Sequence, residues 1–310
     1  MANAQTATAP PGLSLEASAP RGASLWVKIR PVYPFLVVMV LWEMAARQAQ
    51  GRNLGQLFPT LESIAYRAWE LVTDPLMRAL AANPDLAFTQ YFYYLGQSPL
   101  LWHTLATAWR LPFAFVIGAI IGVVIGIMMG RFAFWESFFV PLIAVLLPIP
   151  ALAWTPIAVL WFGLGDPTVI VIIAFASFLP VAMAVWTGVK TVNPVWIRAA
   201  QSMNAPKMTI FRTVVLPGSL PMIMSGMRIG LARAWRAGVG AEAFAGIRWG
   251  LSAGIFNAQE FLDISFMMVA LAILGLFGYA LEKVLFQPLE SRTLIRWGMM
   301  EAMGAQNKKA

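Results

Sequence analysis

Four long stretches of the sequence contain no charged residue. They cover residues 111–130, 137–165, 168–189 and 264–281, and they are 20, 29, 22 and 18 residues long. Because the core of a bilayer takes about 20 apolar residues in a helix, each stretch can cross or nearly cross a membrane. Of the 310 residues, 59% are hydrophobic and 12% are charged. The sequence therefore predicts an integral membrane protein of the all-α class.

The basic residues lie mainly in the segments between these stretches. A net charge of +8 is also compatible with nucleic acid, but scattered basic residues in a hydrophobic chain favour orientation in a membrane and argue against a nucleic-acid partner. With both termini in the cytoplasm, 13 of the 22 lysines and arginines lie on the inner side. A cleaved signal peptide is an alternative for the first span. We predict about six spans, near residues 31–46, 108–130, 138–162, 167–189, 218–240 and 263–285.

The chain divides into four predicted parts. Residues 1–24, rich in Ala, Pro, Ser and Thr, form a disordered cytoplasmic tail, and residues 25–99 hold the first span and an amphipathic segment at the outer face. Residues 100–285 form the membrane core with a cytoplasmic loop at 190–216, and residues 286–310 form a second cytoplasmic tail. The amphipathic segment is indicated by apolar residues at helical spacing, namely Leu61, Ile64, Ala65, Ala68, Leu71 and Val72.

Glycine recurs every fourth residue in the second predicted span. This spacing places the glycines on one stripe of the helix, where another helix can approach closely. The stripe is compatible with static packing and with a helix that slides against its neighbour. Its members are Gly118, Gly122, Gly126 and Gly130.

The third predicted span is rich in proline. Each proline removes a backbone hydrogen bond in a medium that has no water to replace it, so the helix is expected to bend. Two alternatives stay open, a helix that lines a transport pathway and a helix that is merely kinked. Asp166 and Pro167 follow as the predicted N-cap and first residue of the next span. The prolines are Pro141, Pro148, Pro150 and Pro156.

The loop at residues 193–216 is charged, and its sequence predicts two short helices. Asn193 can cap the first helix, with Pro194 at its first position. Asn204 tolerates a left-handed backbone and can end that helix, and Pro206 can open a second one that runs through Thr213. The loop is basic without an acidic residue, which assigns it to the cytoplasm. Its cations are Lys190, Arg198, Lys207 and Arg212. The pattern predicts a docking element for a soluble partner, and an ordinary basic loop is the alternative.

No pattern of catalytic residues is present in the sequence. His103 is the only histidine, there is no cysteine, and the phosphate-binding pattern GxxxxGK[ST] is absent. A zinc site made of histidines, a cysteine nucleophile and this route to nucleotide hydrolysis are therefore excluded. We expect no enzymatic activity and no cofactor, a structural role for His103, and energy that comes from a partner or a gradient.

The loop and the span after it resemble the cytoplasmic EAA loop of permease subunits in binding-protein-dependent ABC importers. The resemblance rests on Arg198, Ala199, Ala200 and Asn204, on VVLP ending at Pro217, and on GMRIGLARAW at residues 226–235. It is most similar to the branch for nitrate, sulfonates, taurine and bicarbonate, with further support from PIPALAWTPIAVLWFGLGD at residues 148–166 and from Ala241-Glu242. Arg198 stands where the family usually has Glu, and Asn204 where it usually has Gly.

This resemblance implies a type I importer permease fold and a set of partners. Two permease subunits, here expected to be identical, would enclose the path in a bacterial inner membrane. ATPase subunits would bind inside and a solute-binding protein outside. The residues implied for ATPase coupling are Arg198, Ala199, Ala200, Asn204 and Pro217.

Three arginines on the fifth predicted span are candidates for an anion pathway. Arg228, Arg233 and Arg236 share less than half of the helix circumference, and arginines inside a membrane usually face a bundle interior or a wet cavity. They would favour a small anion. The alternative is structural, with Arg228 and Arg233 bound to backbone carbonyls or to Glu242.

Two other classes of membrane protein have different sequence requirements. A secondary transporter, which needs no ATPase, should show inverted repeats with broken helices or acidic groups for ion coupling. A membrane enzyme acting on lipid would need a cluster of His, Asp or Glu at a membrane face, which the sequence lacks. The importer permease is therefore the preferred prediction, and the secondary transporter is the alternative.

Overall fold

All regular structure is helical in the part of the chain that the computed structural model describes, which comprises residues 33–51, 55, 57–83, 88–286 and 288. The predicted tail at residues 1–24 lies outside these residues, as does nearly all of the tail at 286–310. The chain divides into two units, residues 1–61 and 62–310.

The first unit contains helix α1, Tyr33–Gln50. The Trp42 indole N–H donates to the Pro59 carbonyl at 3.0 Å, and the Glu43 carboxylate accepts from the Leu61 amide at 2.9 Å, so the chain after the helix folds back along it. Although α1 overlaps the predicted first span, it is not among the helices of the described residues that are long and apolar enough to cross a membrane. The reason is that Glu43 and Arg47 lower the hydropathy of its second half.

Helix α2, Leu61–Ala82, is the predicted amphipathic helix, and α3, Phe88–Leu95, follows it. The apolar face of α2 packs on protein, because Ile64, Ala68, Leu71 and Val72 contact a buried cluster that includes Leu100, Leu251 and Phe266. On its polar face Arg67 donates to Glu70 at 2.8 Å and to Asp263 at 2.5 Å, and these hydrogen bonds raise the pKa of Arg67 above its ordinary value. Helix α2 is thus fixed to the segment that precedes the last span.

Four helices of the described residues are long and apolar enough to span a membrane, and a bent pair makes a possible fifth. The prediction was about six spans. The difference from five is the first predicted span, residues 31–46. The four are Pro99–Arg131, Asp166–Lys190, Lys207–Phe244 and Ile264–Val284. They correspond to α4 (Pro99–Arg131), α7 (Asp166–Lys190), α10 (Leu216–Phe244, with the helical turns before it) and α12 (Ile264–Ala280, with a π-helical end at Leu281–Phe286). Helix α11, Leu251–Glu260, connects α10 to α12.

The third predicted span is broken rather than continuous. Helix α5, Ala133–Leu146, and the segment Ala151–Phe162 meet at an angle of 93°. That segment consists of a 3₁₀ turn, Ala151–Trp154, and helix α6, Thr155–Phe162. Pro148 and Pro150 lie in the break, where a proline cannot supply the backbone N–H that a continuous helix needs. The expectation of a bend is confirmed, and the bend is close to a right angle.

The glycine stripe of α4 packs directly on α7. A Cβ atom added at Gly118 would lie 2.0 Å from the Ser177 Oγ, and one at Gly126 would lie 2.6 Å from the Val185 Cβ. Gly122 and Gly130 meet Val181 and Val189 in the same way. Because no side chain fits in this space, the prediction of close helix packing is confirmed. The two helices run together from the middle of the core to the loop after Lys190.

Candidate coupling loop and membrane cavity

The predicted helix, turn and helix of the loop are present. Helix α8, Pro194–Ser202, is capped by Asn193, whose Oδ1 accepts from the Val195 amide at 2.9 Å. Asn204 has a φ of 57°, the left-handed conformation predicted for it. The next helix, α9, begins at Lys207 after Pro206 and ends at Ile210.

The predicted end of the second helix at Thr213 is wrong. Helix α9 continues through a π-helical turn, Phe211–Val215, directly into α10, so one helical segment runs over Lys207–Phe244. Residues 207–216 contain neither glycine nor proline, and nothing in them stops a helix. Pro217 follows the π-helical turn, where the regular α-helical hydrogen bonding is already interrupted.

The structure places four of the five predicted coupling residues on the loop. Arg198, Ala199 and Asn204 are exposed, Ala200 is half-buried, and Pro217 is half-buried at the base of α10. Large apolar side chains are exposed beside them, which the sequence reasoning did not single out. These are Val195, Trp196, Met203 and Met208, with Met203 83% exposed. An exposed apolar surface with methionines is typical of a protein docking site.

A cavity of about 450 Å³ opens where α5 and α6 separate. One wall is the break itself, residues 147–152, and α7 and α10 supply the rest with Phe175, Ala176, Leu179, Arg233, Arg236 and Ala237. In the turn beside the break, the buried Trp154 Nε1 and Thr155 Oγ1 have no hydrogen-bond partner among the described residues. The broken helix therefore lines a cavity whose wall includes two arginines.

The three candidate arginines separate into two groups. Arg233 and Arg236 line the cavity. Arg233 donates to the Leu147 carbonyl at 3.3 Å, a group that the end of α5 leaves without an intrahelical partner, and the Arg236 Nε donates to the Ala232 carbonyl of its own helix at 3.1 Å. Arg228 forms an ion pair with Glu282 instead and does not line the cavity.

Glu242 pairs with an arginine that sequence reasoning did not consider. Arg110 donates to Glu242 at 2.5 Å and to Asp166 at 2.6 Å, and the Arg110 and Glu242 side chains are 3% and 2% exposed. Arg110 also donates to the Trp249 carbonyl at 3.0 Å. Asp166 begins α7 but does not cap it with its side chain, so the predicted N-cap is wrong. The available signal was Arg110 itself, a charge inside the predicted span 108–130.

Two further polar groups belong to the cluster around Arg110. Thr107 donates to Glu242 at 2.9 Å and accepts from the Leu251 amide at 3.0 Å. The His103 Nδ1 lies 2.7 Å from the Gly250 carbonyl oxygen, which agrees with the structural role predicted for it. Among the described residues no three His, Asp or Glu side chains are grouped so that they could hold a metal ion.

The family comparison decides the class of the protein. Residues 118–294 match the family described as "Binding-protein-dependent transport system inner membrane component". The chain belongs to this family. It is a permease subunit of an ABC importer, a multi-pass membrane protein whose family works with a separate ATPase and a solute-binding protein. The predicted permease identity and the expected lack of catalysis of its own agree with this membership.

Relatives of the permease are named for the transport of different solutes. It is 38% identical to the taurine transport system permease protein TauC of Escherichia coli over 59% of this chain and 66% of that protein, just under two thirds of its length. It is 33% identical to the putative aliphatic sulfonates transport permease protein SsuC of Escherichia coli, over 74% of this chain and 87% of that one. The riboflavin transport system permease protein RibX of Chloroflexus aurantiacus is 36% identical over 69% of this chain and 79% of its own.

A solved structure supports the fold. The permease matches a chain of the inward-facing methionine ABC transporter MetNI, with a TM-score of 0.53, 20% identity, and coverage of 65% of this chain and 99% of that one. At 20% identity this similarity supports a shared fold and nothing about the solute.

Proposed function

We propose that the permease forms the translocation path for a small anionic solute of the sulfonate, taurine, bicarbonate or nitrate type, driven by ATP hydrolysis in its separate ATPase subunit. The observation that carries the proposal is the position of Arg236. Arg236 is an exposed residue that lines the cavity at the helix break, and its guanidinium, whose Nε donates to the Ala232 carbonyl, has no carboxylate partner among the described residues. A cation held in this position attracts anions and repels cations.

The chemistry of the cavity supports this solute class. A guanidinium offers paired donors that match the geometry of sulfonate and carboxylate oxygens. Arg233 is occupied by the Leu147 carbonyl and holds one wall of the break in place. We therefore assign solute contact to Arg236 and a positioning role to Arg233. Arg228, which is neutralised by Glu282, is left out of the pathway.

The relatives support the class without deciding it. TauC and SsuC are named for taurine and for aliphatic sulfonates, which share a negatively charged sulfonate group. RibX, at a similar identity, carries the name of riboflavin. Because such different solutes occur among relatives, the assignment to a small anion depends on the cavity.

The remaining parts of the assembly follow from the loop and the charge distribution. We propose that Arg198, Ala199, Ala200 and Asn204 contact the ATPase on the cytoplasmic side, with Pro217 at the base of the next helix supporting them. We also propose that a second copy of the chain completes the path in a bacterial inner membrane, with both termini inside. The exposed apolar side chains of the loop support its docking on the ATPase, and its basic character supports its position in the cytoplasm.

The test of the anion path compares three charge-removing variants in vesicles that contain the permease, its ATPase and its liganded binding protein. We expect Arg236→Gln to lower taurine or alkanesulfonate uptake at least about tenfold, which is about 1.4 kcal/mol, with stimulated ATP hydrolysis retained. The matched control is Arg248→Gln, an exposed arginine that stacks on Trp249 outside the cavity. Arg233→Gln should also lower uptake, because the Leu147 carbonyl loses its donor. Full uptake by Arg236→Gln would contradict the proposal that Arg236 selects for an anionic solute.

A further inference from the structure

An aromatic ring of the coupling loop contacts the end of the glycine-stripe helix α4. Phe211 is the first residue of the π-helical turn between α9 and α10, and the Leu216 amide donates back to the Phe211 carbonyl across five residues. Such turns are wider than an α-helical turn and are common at functional sites. Phe211 therefore lies at the joint between the loop and the fifth predicted span.

Arg131 is the cation that faces this ring. It is the last residue of α4, and its guanidinium carbon lies 5.2 Å from the centroid of Phe211 and 5.7 Å from that of Phe132. A guanidinium at this distance from a ring is attracted by the electrons of the ring face. The contact joins two segments that are far apart in sequence, the inner end of α4 and the outgoing arm of the loop.

The neighbouring helices are joined at the same level. The Glu136 carboxylate, in the first turn of α5, accepts from the Lys190 ammonium at 2.6 Å and from the Trp186 indole at 3.2 Å, and both donors lie at the end of α7. The stripe at Gly126 and Gly130 packs α4 on the same part of α7. Helices α4, α5 and α7 are thus tied together where the loop begins.

The helices around the loop differ in how they are connected to it and therefore in how they can follow its movement. Helices α7 and α10 continue directly into the loop, so they follow it through the backbone. Helix α4 ends at Arg131, far before the loop in sequence, so it follows the loop through its packing on α7 along the glycine stripe and, at its end, through the contact of Arg131 with Phe211. Closely packed helices move as units rather than deforming.

We propose that Phe211 and Arg131 carry movement of the coupling loop to α4, and that both act as positioning residues for coupling rather than as solute or ATPase contacts. This inference rests on the proposed docking of the loop on the ATPase. The ring and the cation supply a contact that is directional and that an aliphatic side chain of similar size does not reproduce.

The experiment uses the absence of cysteine in the chain. Cysteines at Ser202 on the exposed loop and Val124 on the exposed side of α4 carry spin labels in the complete assembly, and the distance between the labels is measured with and without bound nucleotide. Without substitution we expect the distance to be the same in both states, because loop and α4 move together. In the Phe211→Leu and Arg131→Gln variants we expect nucleotide binding to change the distance between the two labels by several ångströms.

Conservative variants separate this role from a purely structural one. Phe211→Tyr and Arg131→Lys keep a ring and a cation, and we expect both to behave as the unsubstituted protein. The double variant Phe211→Leu with Arg131→Gln should shift no further than either single change, because both remove one contact. An unchanged distance in Phe211→Leu, or a shift in Phe211→Tyr as large as in Phe211→Leu, would overturn the proposal.

The distance measurement does not depend on the identity of the solute, because the states with and without bound nucleotide are both reached without transport. Copurification of the ATPase with each variant is measured in parallel. If the ATPase does not bind through the loop even in the unsubstituted permease, the proposed docking fails. If it binds and the distances do not respond to Phe211→Leu, only the role of Phe211 and Arg131 fails.

Discussion

Arg110 shows how one side chain can join three separate segments of this permease. It reaches from α4 to Glu242 on α10, to Asp166 at the start of α7 and to the Trp249 carbonyl. The arm to Glu242 is buried at both ends, whereas Asp166 is 48% exposed. Two carboxylates at comparable distances from the same cation are therefore expected to contribute very differently to stability, because water screens only the exposed one.

This difference can be measured by removing each carboxylate. Glu242→Ala leaves Arg110 buried without its main partner, and we expect a loss of about 3 kcal/mol or more in the free energy of unfolding. Asp166→Asn should cost about 1 kcal/mol or less. The measurement is thermal stability of the purified permease in detergent, with Glu242→Gln as the variant that keeps the shape of the side chain. Equal losses in Glu242→Ala and Asp166→Asn would contradict the dependence on burial.

At the scale of elements, the coupling loop is a short rigid insert between two spans. Helix α8 is capped by Asn193 at its start, and Asn204 adopts a left-handed turn at its end. The helix after the turn is continuous with α10. A displacement of α8 therefore passes through one tight turn into the next helix. Residues 207–216 contain no glycine or proline at which that helix could bend.

A bulky charge on α8 should disturb docking without unfolding the permease. Ala200 is half-buried on the loop, and Ala200→Glu is expected to overpack the contact with the ATPase at a cost of about 1 to 3 kcal/mol. Association should weaken about tenfold or more, and uptake should be abolished. The measurement is copurification of the ATPase together with uptake, with Ala200→Ser as the small polar control. Unchanged association and uptake in Ala200→Glu would exclude Ala200 from the docking surface.

At the scale of the whole molecule, the charge distribution predicts which side of the membrane each loop faces. The loop at residues 190–216 is basic, and the turn at residues 163–166 connects the two spans before it on the opposite side. In this orientation the cavity at the helix break lies between the loop and the outer cluster around Arg110.

Single cysteines in the cysteine-free chain report this orientation. Cysteine at Asn204 should be protected from a membrane-impermeant thiol reagent in intact cells, because the loop is inside. Cysteine at Leu164, a residue 68% exposed in the outer turn, should be labelled. Both positions should be labelled after the membrane is permeabilised. Labelling at Asn204 and protection at Leu164 in intact cells would reverse the predicted topology.

Local chemistry was sufficient for several features of this permease. Uncharged runs near the thickness of a bilayer predicted the helical spans, and glycine spacing predicted the close face of α4. Asn193 and Asn204 predicted the start and end of α8, since capping and left-handed backbone depend on one or two residues. Prolines predicted that the third span bends. Each of these features arises from residues that are neighbours in sequence.

Only the tertiary structure decided which charges meet. Helical periodicity placed Arg228, Arg233 and Arg236 on one side of a helix, but their partners come from elsewhere: Glu282, the Leu147 carbonyl freed by the break, and for Arg236 a carbonyl of its own helix. The pairing of Arg110 with Glu242 joins residues 132 positions apart. The right angle between α5 and α6, which opens the cavity, also depends on neighbouring helices. Proline removes a hydrogen bond locally, but the packing of other segments determines the direction in which the chain then turns.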